Sequence, residues 1–74
     1  MKYTNRTESE IFVAIEPMGN EFSLGPGKDL VIKTSEGDFS DIQFYFAVVD
    51  GDTIFSIWSE IGEYEFFIDG EQIE

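Results

Sequence analysis

Cysteine and histidine are both missing from the 74 residues. Their absence rules out a disulfide framework and the usual zinc sites, two devices by which short chains often compensate for a small core. It also rules out the familiar pairing of a Ser or Cys nucleophile with a His base. Basic residues are scarce: four Lys and Arg stand against sixteen Asp and Glu, for a formal charge of −12. Such a chain repels nucleic acid and anionic lipid, so direct binding of either is not expected. Long apolar runs are lacking too. The runs "IFVAI" and "FAVV" fall far short of the roughly 20 residues a membrane helix requires. The opening "MKYTNRTESE" has no apolar stretch of the signal-peptide kind. The expectation is a soluble, cytoplasmic, non-enzymatic chain without a cofactor or a membrane role.

What the chain does have is aromatic residues: eight Phe, three Tyr and Trp58. A chain of this length makes one domain at most and buries a modest core. Aromatic packing, or self-association that covers more apolar surface, must supply the stability.

Period-two alternation runs through most of the sequence, which argues for strands. In "IFVAIEP", Ile11, Val13 and Ile15 share one face and Phe12 and Ala14 the other, and Pro17 ends the run because proline cannot donate to a ladder. "EFSL" and "DLVIKT" read as two further strands, separated by the turn "GPGK". "IQFYFAVV" has the strongest strand character, with Ile42, Phe44, Phe46 and Val48 on one face. Asp-Gly pairs at 50–51 and 69–70 signal hairpins, since Gly accepts positive φ. They bracket "TIFSIW" and "EYEFFI" and lead into a last short strand at "EQI". The polar stretch 35–41 leaves room for a short helical turn.

The expected fold is therefore all-β: a small sandwich or partly open barrel of six or seven short antiparallel strands. Residues 1–10 form a polar N-terminal arm or an added edge strand, and residues 11–74 form a single β domain. The predicted core comprises Val13, Ile15, Leu24, Ile32, Phe44, Phe46, Val48, Ile57 and Phe66. Apolar groups on both faces of the two strands around Phe46 and Phe55 give a second apolar set, with Phe12, Tyr45, Trp58 and Phe67 as candidates: either a small barrel wraps around both sets, the slightly favoured reading, or the second is covered by the N-terminal arm, a second copy or a partner.

Most chemistry-bearing patterns fail on spacing. "EPMGNEFSLGPGK" is rich in Gly and Pro, but a phosphate loop needs Gly where Phe22 stands and Ser or Thr where Asp29 stands. Turn chemistry accounts for these residues. "DGD" (Asp50, Asp52) and "EGDFSD" (Glu36, Asp38, Asp41) supply oxygen ligands, but Ile54 and Ser40 break the calcium-loop pattern. The residues read better as solvated turns than as a weak cation site. In the last quarter, Glu60, Glu63, Glu65, Asp69, Glu71 and Glu74 crowd together. Glu63 and Glu65 would stand about 7 Å apart along one strand face, a pitch that imitates part of a nucleic-acid backbone. Edge protection by charge explains the same residues more simply.

Glu16-Pro17, Gly19, Phe22, Leu24 and Pro26-Gly27 resemble the pattern E-P-x-G-x-x-aromatic-x-L-x-P-G of short, uncharacterised bacterial all-β proteins. "TIFSIW…GEYEFFIDGE", from Thr53 to Glu71, is similar to their closing pair of strands. The resemblance covers most of the chain after Ile11 and departs at Met18, where those proteins carry an aromatic residue. It implies an all-β domain of bacterial or phage type and brings no catalytic residues.

The leading functional expectation is a non-catalytic module that binds a protein partner, most simply a basic one. The expected contact residues are Tyr45, Trp58, Glu60, Glu63, Glu65, Phe67, Asp69 and Glu71, because aromatics concentrate binding energy and charge selects encounters. One alternative is a nucleic-acid mimic of phage or mobile-element type that inhibits a defence nuclease or another basic DNA- or RNA-binding protein. Another is a homodimer or larger homo-oligomer within an assembly.

Overall fold

The computed structural model describes residues 1–17, 19–35, 37–59 and 64–73. They form eight strands: β1 (Lys2–Thr4), β2 (Ile11–Glu16), β3 (Asn20–Leu24), β4 (Asp29–Thr34), β5 (Ile42–Val49), β6 (Asp52–Ser59), β7 (Tyr64–Ile68) and β8 (Glu71–Gln72). No helix occurs among the described residues, those of the stretch 35–41 included. The strands make two four-stranded sheets packed as a sandwich. Sheet I has the order β1-β4-β7-β8 and sheet II the order β3-β2-β6-β5.

The chain reverses at nearly every turn, so within each sheet even-numbered strands run one way and odd-numbered strands the other. The exception to antiparallel pairing follows directly. β2 and β6 are neighbours of equal parity, and they pair in parallel from Ile11 opposite Thr53 to Glu16 opposite Trp58. The expectation of six or seven strands, all antiparallel, is corrected on both counts. A chain that crosses between sheets at β4 and returns at β5 brings distant strands side by side, and local turn signals do not encode that pairing.

Both Asp-Gly pairs adopt the left-handed backbone a two-residue hairpin needs, with φ of 51° and 85° at Asp50-Gly51 and 52° and 82° at Asp69-Gly70. That geometry matches the twist of the flanking strands.

Ile11, Val13 and Ile15 of β2, Leu24, Leu30, Ile32, Ile42, Phe55, Ile57 and Phe66 form one buried cluster between the sheets. Six of the predicted core residues are in it: Val13, Ile15, Leu24, Ile32, Ile57 and Phe66. Phe44, Phe46 and Val48 are not; they are 36%, 56% and 72% exposed. Their face is the expected one, since they pair opposite Ile57, Phe55 and Thr53. What differs is cover. β5 is the edge of sheet II and runs eight residues, about 26 Å, whereas β1, the margin of sheet I, runs three, about 10 Å.

The loop leading into β2 is fixed by a buried polar residue. Asn5 is fully buried. Its Nδ2 donates to the carbonyls of Leu24 (2.8 Å) and Ser9 (2.9 Å). Its Oδ1 accepts from the Thr7 amide (3.0 Å) and hydroxyl (2.7 Å). Its backbone bonds Lys28 and Gly27 in the β3–β4 turn. All side-chain hydrogen-bonding capacity is used, which is the condition for burying an amide without a desolvation penalty.

Candidate functional site

The most distinctive surface is the margin built by β5. Ile42 is buried, and every residue from Gln43 to Val49 is exposed. The strand carries no charge over its length. On its inner face Phe46 stacks on Phe55 with ring centroids 4.3 Å apart and planes 9° from parallel. Tyr3 of β1 meets the edge of Phe55 at 5.1 Å and tilts against Phe46 at 5.8 Å. Phe44 leans on the same Phe55 at 5.5 Å. These rings leave an open, largely apolar slot of about 270 Å³ between β1 and β5, lined by Met1, Tyr3, Ile32, Phe44, Phe46 and Phe55, with Lys2 at its wall.

On the outer face of the same strand, Tyr45 (54% exposed) and Trp58 (44%) flank Gln43. Gln43 and Trp58 are cross-strand partners, and the Tyr45 hydroxyl donates to Gln43 Oε1 at 2.8 Å. This arrangement sets the two rings on one face of adjacent strands, with Gln43 between them. A neighbouring hollow is lined by Pro17, Ser40, Asp41, Gln43, Trp58 and Ser59. β5 therefore presents apolar groups on both faces, with its backbone edge between them.

The carboxylates lie elsewhere. Glu65 is on the outer face of sheet I, opposite Lys33 across the β4–β7 ladder, and accepts from Gln72 at 3.3 Å. Phe67, half-buried, lies under the Lys33 ammonium at 4.8 Å, a cation–π contact. Asp69 pairs with Lys28 at 3.2 Å, and Glu71 is exposed on β8. Glu60, Glu63 and Glu74, like Glu36 of the acidic loop, lie outside the described residues. The structure thus brings Tyr45 and Trp58 together on sheet II and places Glu65, Phe67, Asp69 and Glu71 on or beside sheet I. Among the described residues no three acids gather closely enough to hold a metal ion.

Asp38, in the loop before β5, has its carboxyl held below the ordinary carboxylate range. The Ser40 amide (2.9 Å) is the main cause and the Ser40 hydroxyl the second.

Sequence reasoning missed the inner half of this surface because it assigned Phe44, Phe46 and Val48 to the core. No local signal marks it: apolar groups on both faces of "IQFYFAVV" point to a second apolar face, whereas cover over the inner face depends on the short β1 of the other sheet.

Compared with known proteins, the chain matches no family, no curated protein and no solved structure at significance. No helix among the described residues is long and apolar enough to cross a membrane.

Proposed function

We propose that the chain is a non-catalytic protein-binding module whose contact surface is the β5 margin, with Tyr45 and Trp58 as anchors. One observation carries the reading. Five large apolar residues of one strand (Phe44, Tyr45, Phe46, Val48 and Val49), together with adjacent Trp58, are exposed on a domain whose other inward faces are well covered. Contiguous apolar surface of this kind marks an interaction site, and aromatic anchors supply most of the energy at such sites. The charge of −12 favours a basic partner by steering encounters. A cytoplasmic setting belongs to this reading, and the cysteine-free composition fits it.

Mimicry of nucleic acid draws less support. It needs an ordered row of carboxylates, whereas Glu65 faces Lys33 and Asp69 is paired with Lys28.

The test is affinity capture from bacterial lysate using the whole chain, repeated with excess duplex DNA and with Tyr45→Ala and Trp58→Ala combined. The expected result is a partner that survives DNA and is lost with the double variant. A partner displaced by DNA and indifferent to the aromatic substitutions would replace this reading with mimicry. Capture of nothing under any condition would remove the binding module.

A further inference from the structure

We infer that the partner binds as an added strand: an extended segment, apolar at alternate positions and carrying Lys or Arg at its ends, pairs with the open edge of β5. This inference rests on the binding-module reading and specifies its mode and its ligand.

Three observations carry it. First, among the described residues β5 is an edge strand without protection. Its ladder to β6 is unbroken from Ile42 opposite Ser59 to Val49 opposite Asp52, so it has no bulge. It contains no Lys, no Pro and no charge of either sign. Natural edges are normally blunted by one of these devices, and an edge lacking all of them is a template for strand addition. No strand lies on its other side among the described residues.

Second, the side chains on both faces suit an incoming strand. Successive residues of an added strand point to opposite faces. One set would cover Phe44 and Phe46 at the mouth of the slot and Val48 beyond it, and the other would lie against Tyr45. Backbone hydrogen bonds supply affinity and alternate side chains supply specificity, as in other strand-addition complexes.

Third, the charge around β5 selects the occupant. Asp41 stands at its start and Asp50 and Asp52 at its end, all exposed. The four basic residues, Lys2, Arg6, Lys28 and Lys33, lie in or beside sheet I, and sheet II has none. Only Lys2 borders the slot. A second copy is the poorer fit. Two-fold antiparallel pairing along the whole of β5 sets Ile42 against Val49 of the other copy, and hence Asp41 against Asp50 at both ends. Like charges directly opposite are destabilising. A segment with basic ends meets those acids favourably.

The experiment titrates the isotope-labelled whole chain with two synthetic peptides, KKTVTVTVKK and EETVTVTVEE, at up to millimolar concentration. Amide hydrogen exchange and chemical shifts are followed by NMR, and the mass of the chain alone is measured by sedimentation. The expected result is slowed exchange at alternate amides of β5 with the basic peptide, and binding about tenfold weaker with the acidic one at low salt, a gap that closes as salt screens it. Val48→Lys, at a largely exposed position, should keep the native spectrum and weaken the basic peptide. Phe46→Lys serves as a second variant.

Shifts confined to Tyr45 and Trp58 without protection of β5 amides would overturn strand addition and leave the binding module standing. Equal binding of both peptides would overturn the charge selection. A doubled mass with β5 amides already protected would assign the edge to a second copy and overturn the inference, as would failure of both peptides to bind.

Discussion

β2 and β5 are two apolar strands of one sheet with opposite fates. β2, "IFVAIE", lies between β3 and β6, and four of its six residues are buried. β5, "IQFYFAVV", is richer in aromatics yet exposes seven of its eight residues. Both have one face toward the sandwich interior. The difference comes from neighbours: β2 has a strand on each side and sheet I above it, while β5 has one neighbour and the three residues of β1 as partial cover. Hydrophobicity specifies that a segment becomes a strand and which way its side chains point. Position in the sheet then decides whether that face is dry.

The sharpest way to break the comparison is to truncate matched positions. Ile15→Ala in β2 removes a side chain that is 2% exposed. It should cost about 3–4 kcal/mol by denaturant unfolding, from lost transfer energy plus the cavity left behind. In a domain this small that is most of the stability available. Val48→Ala in β5 should change stability by no more than about 0.5 kcal/mol. Similar losses at the two sites would mean that β5 is covered in solution, by a second copy or by rearrangement.

The segments that lead into the two strands extend the contrast. β2 is approached through Asn5, Thr7 and Ser9, tied to Leu24 at the end of β3 by the buried Asn5 side-chain amide and to the β3–β4 turn by the Asn5 backbone. Asn5→Ala should cost about 2–3 kcal/mol, because the Leu24 carbonyl loses a buried donor that water cannot easily replace. Asn5→Asp should be no better, since a carboxylate cannot donate to that carbonyl. A loss below about 0.5 kcal/mol for both would show that water reaches the site freely.

Phe46 falls between these extremes. It is 56% exposed but stacks on Phe55 and touches Tyr3. Phe46→Ala should cost about 1 kcal/mol, the scale of an aromatic pair with partial burial. Phe46→Leu should recover part of that. A loss as large as that at Ile15 would place Phe46 in the core after all.

These differences mark what the sequence makes legible. Alternation locates β2 through β7 closely, and the Asp-Gly pairs locate two hairpins, because both signals are local. The core at Val13, Ile15, Leu24, Ile32, Ile57 and Phe66 follows from face periodicity. The parallel β2–β6 pair does not, since it joins residues about forty apart and depends on how the chain crosses between sheets. Nor does the exposure of Phe44, Phe46 and Val48, which depends on the length of a strand in the other sheet. Of the candidate contact residues, Tyr45 and Trp58 can be placed on one face because they sit on the two strands of a hairpin with an evident turn. Asn5 cannot, because a polar residue in a polar terminus gives no sign of burial. Its local clue is Thr7 two residues on, the spacing of a side-chain turn.

The smallest expected effect concerns the segment before β5. There Asp38 forms a local turn in full solvent, where Asn5 makes a buried long-range tie: its carboxylate accepts from the Ser40 amide and hydroxyl, two residues on. These bonds favour the ionised form, so the folded-state pKa is depressed. The sign follows from linkage. The contribution to stability is fully present above the unfolded pKa and is lost as pH falls through the folded one. By NMR titration Asp38 should ionise below an ordinary Asp. Ser40→Ala should raise its pKa only partway, because the amide bond, the larger cause, survives. Full return to the ordinary value would assign the effect to the hydroxyl, and no change would assign it wholly to the amide. In either case this exposed local turn should fix the start of β5 less firmly than the buried Asn5 fixes β2. Amides around Asp38–Asp41 should accordingly exchange faster than those around Thr7–Ser9, and the reverse order would remove the contrast between the two lead-in segments.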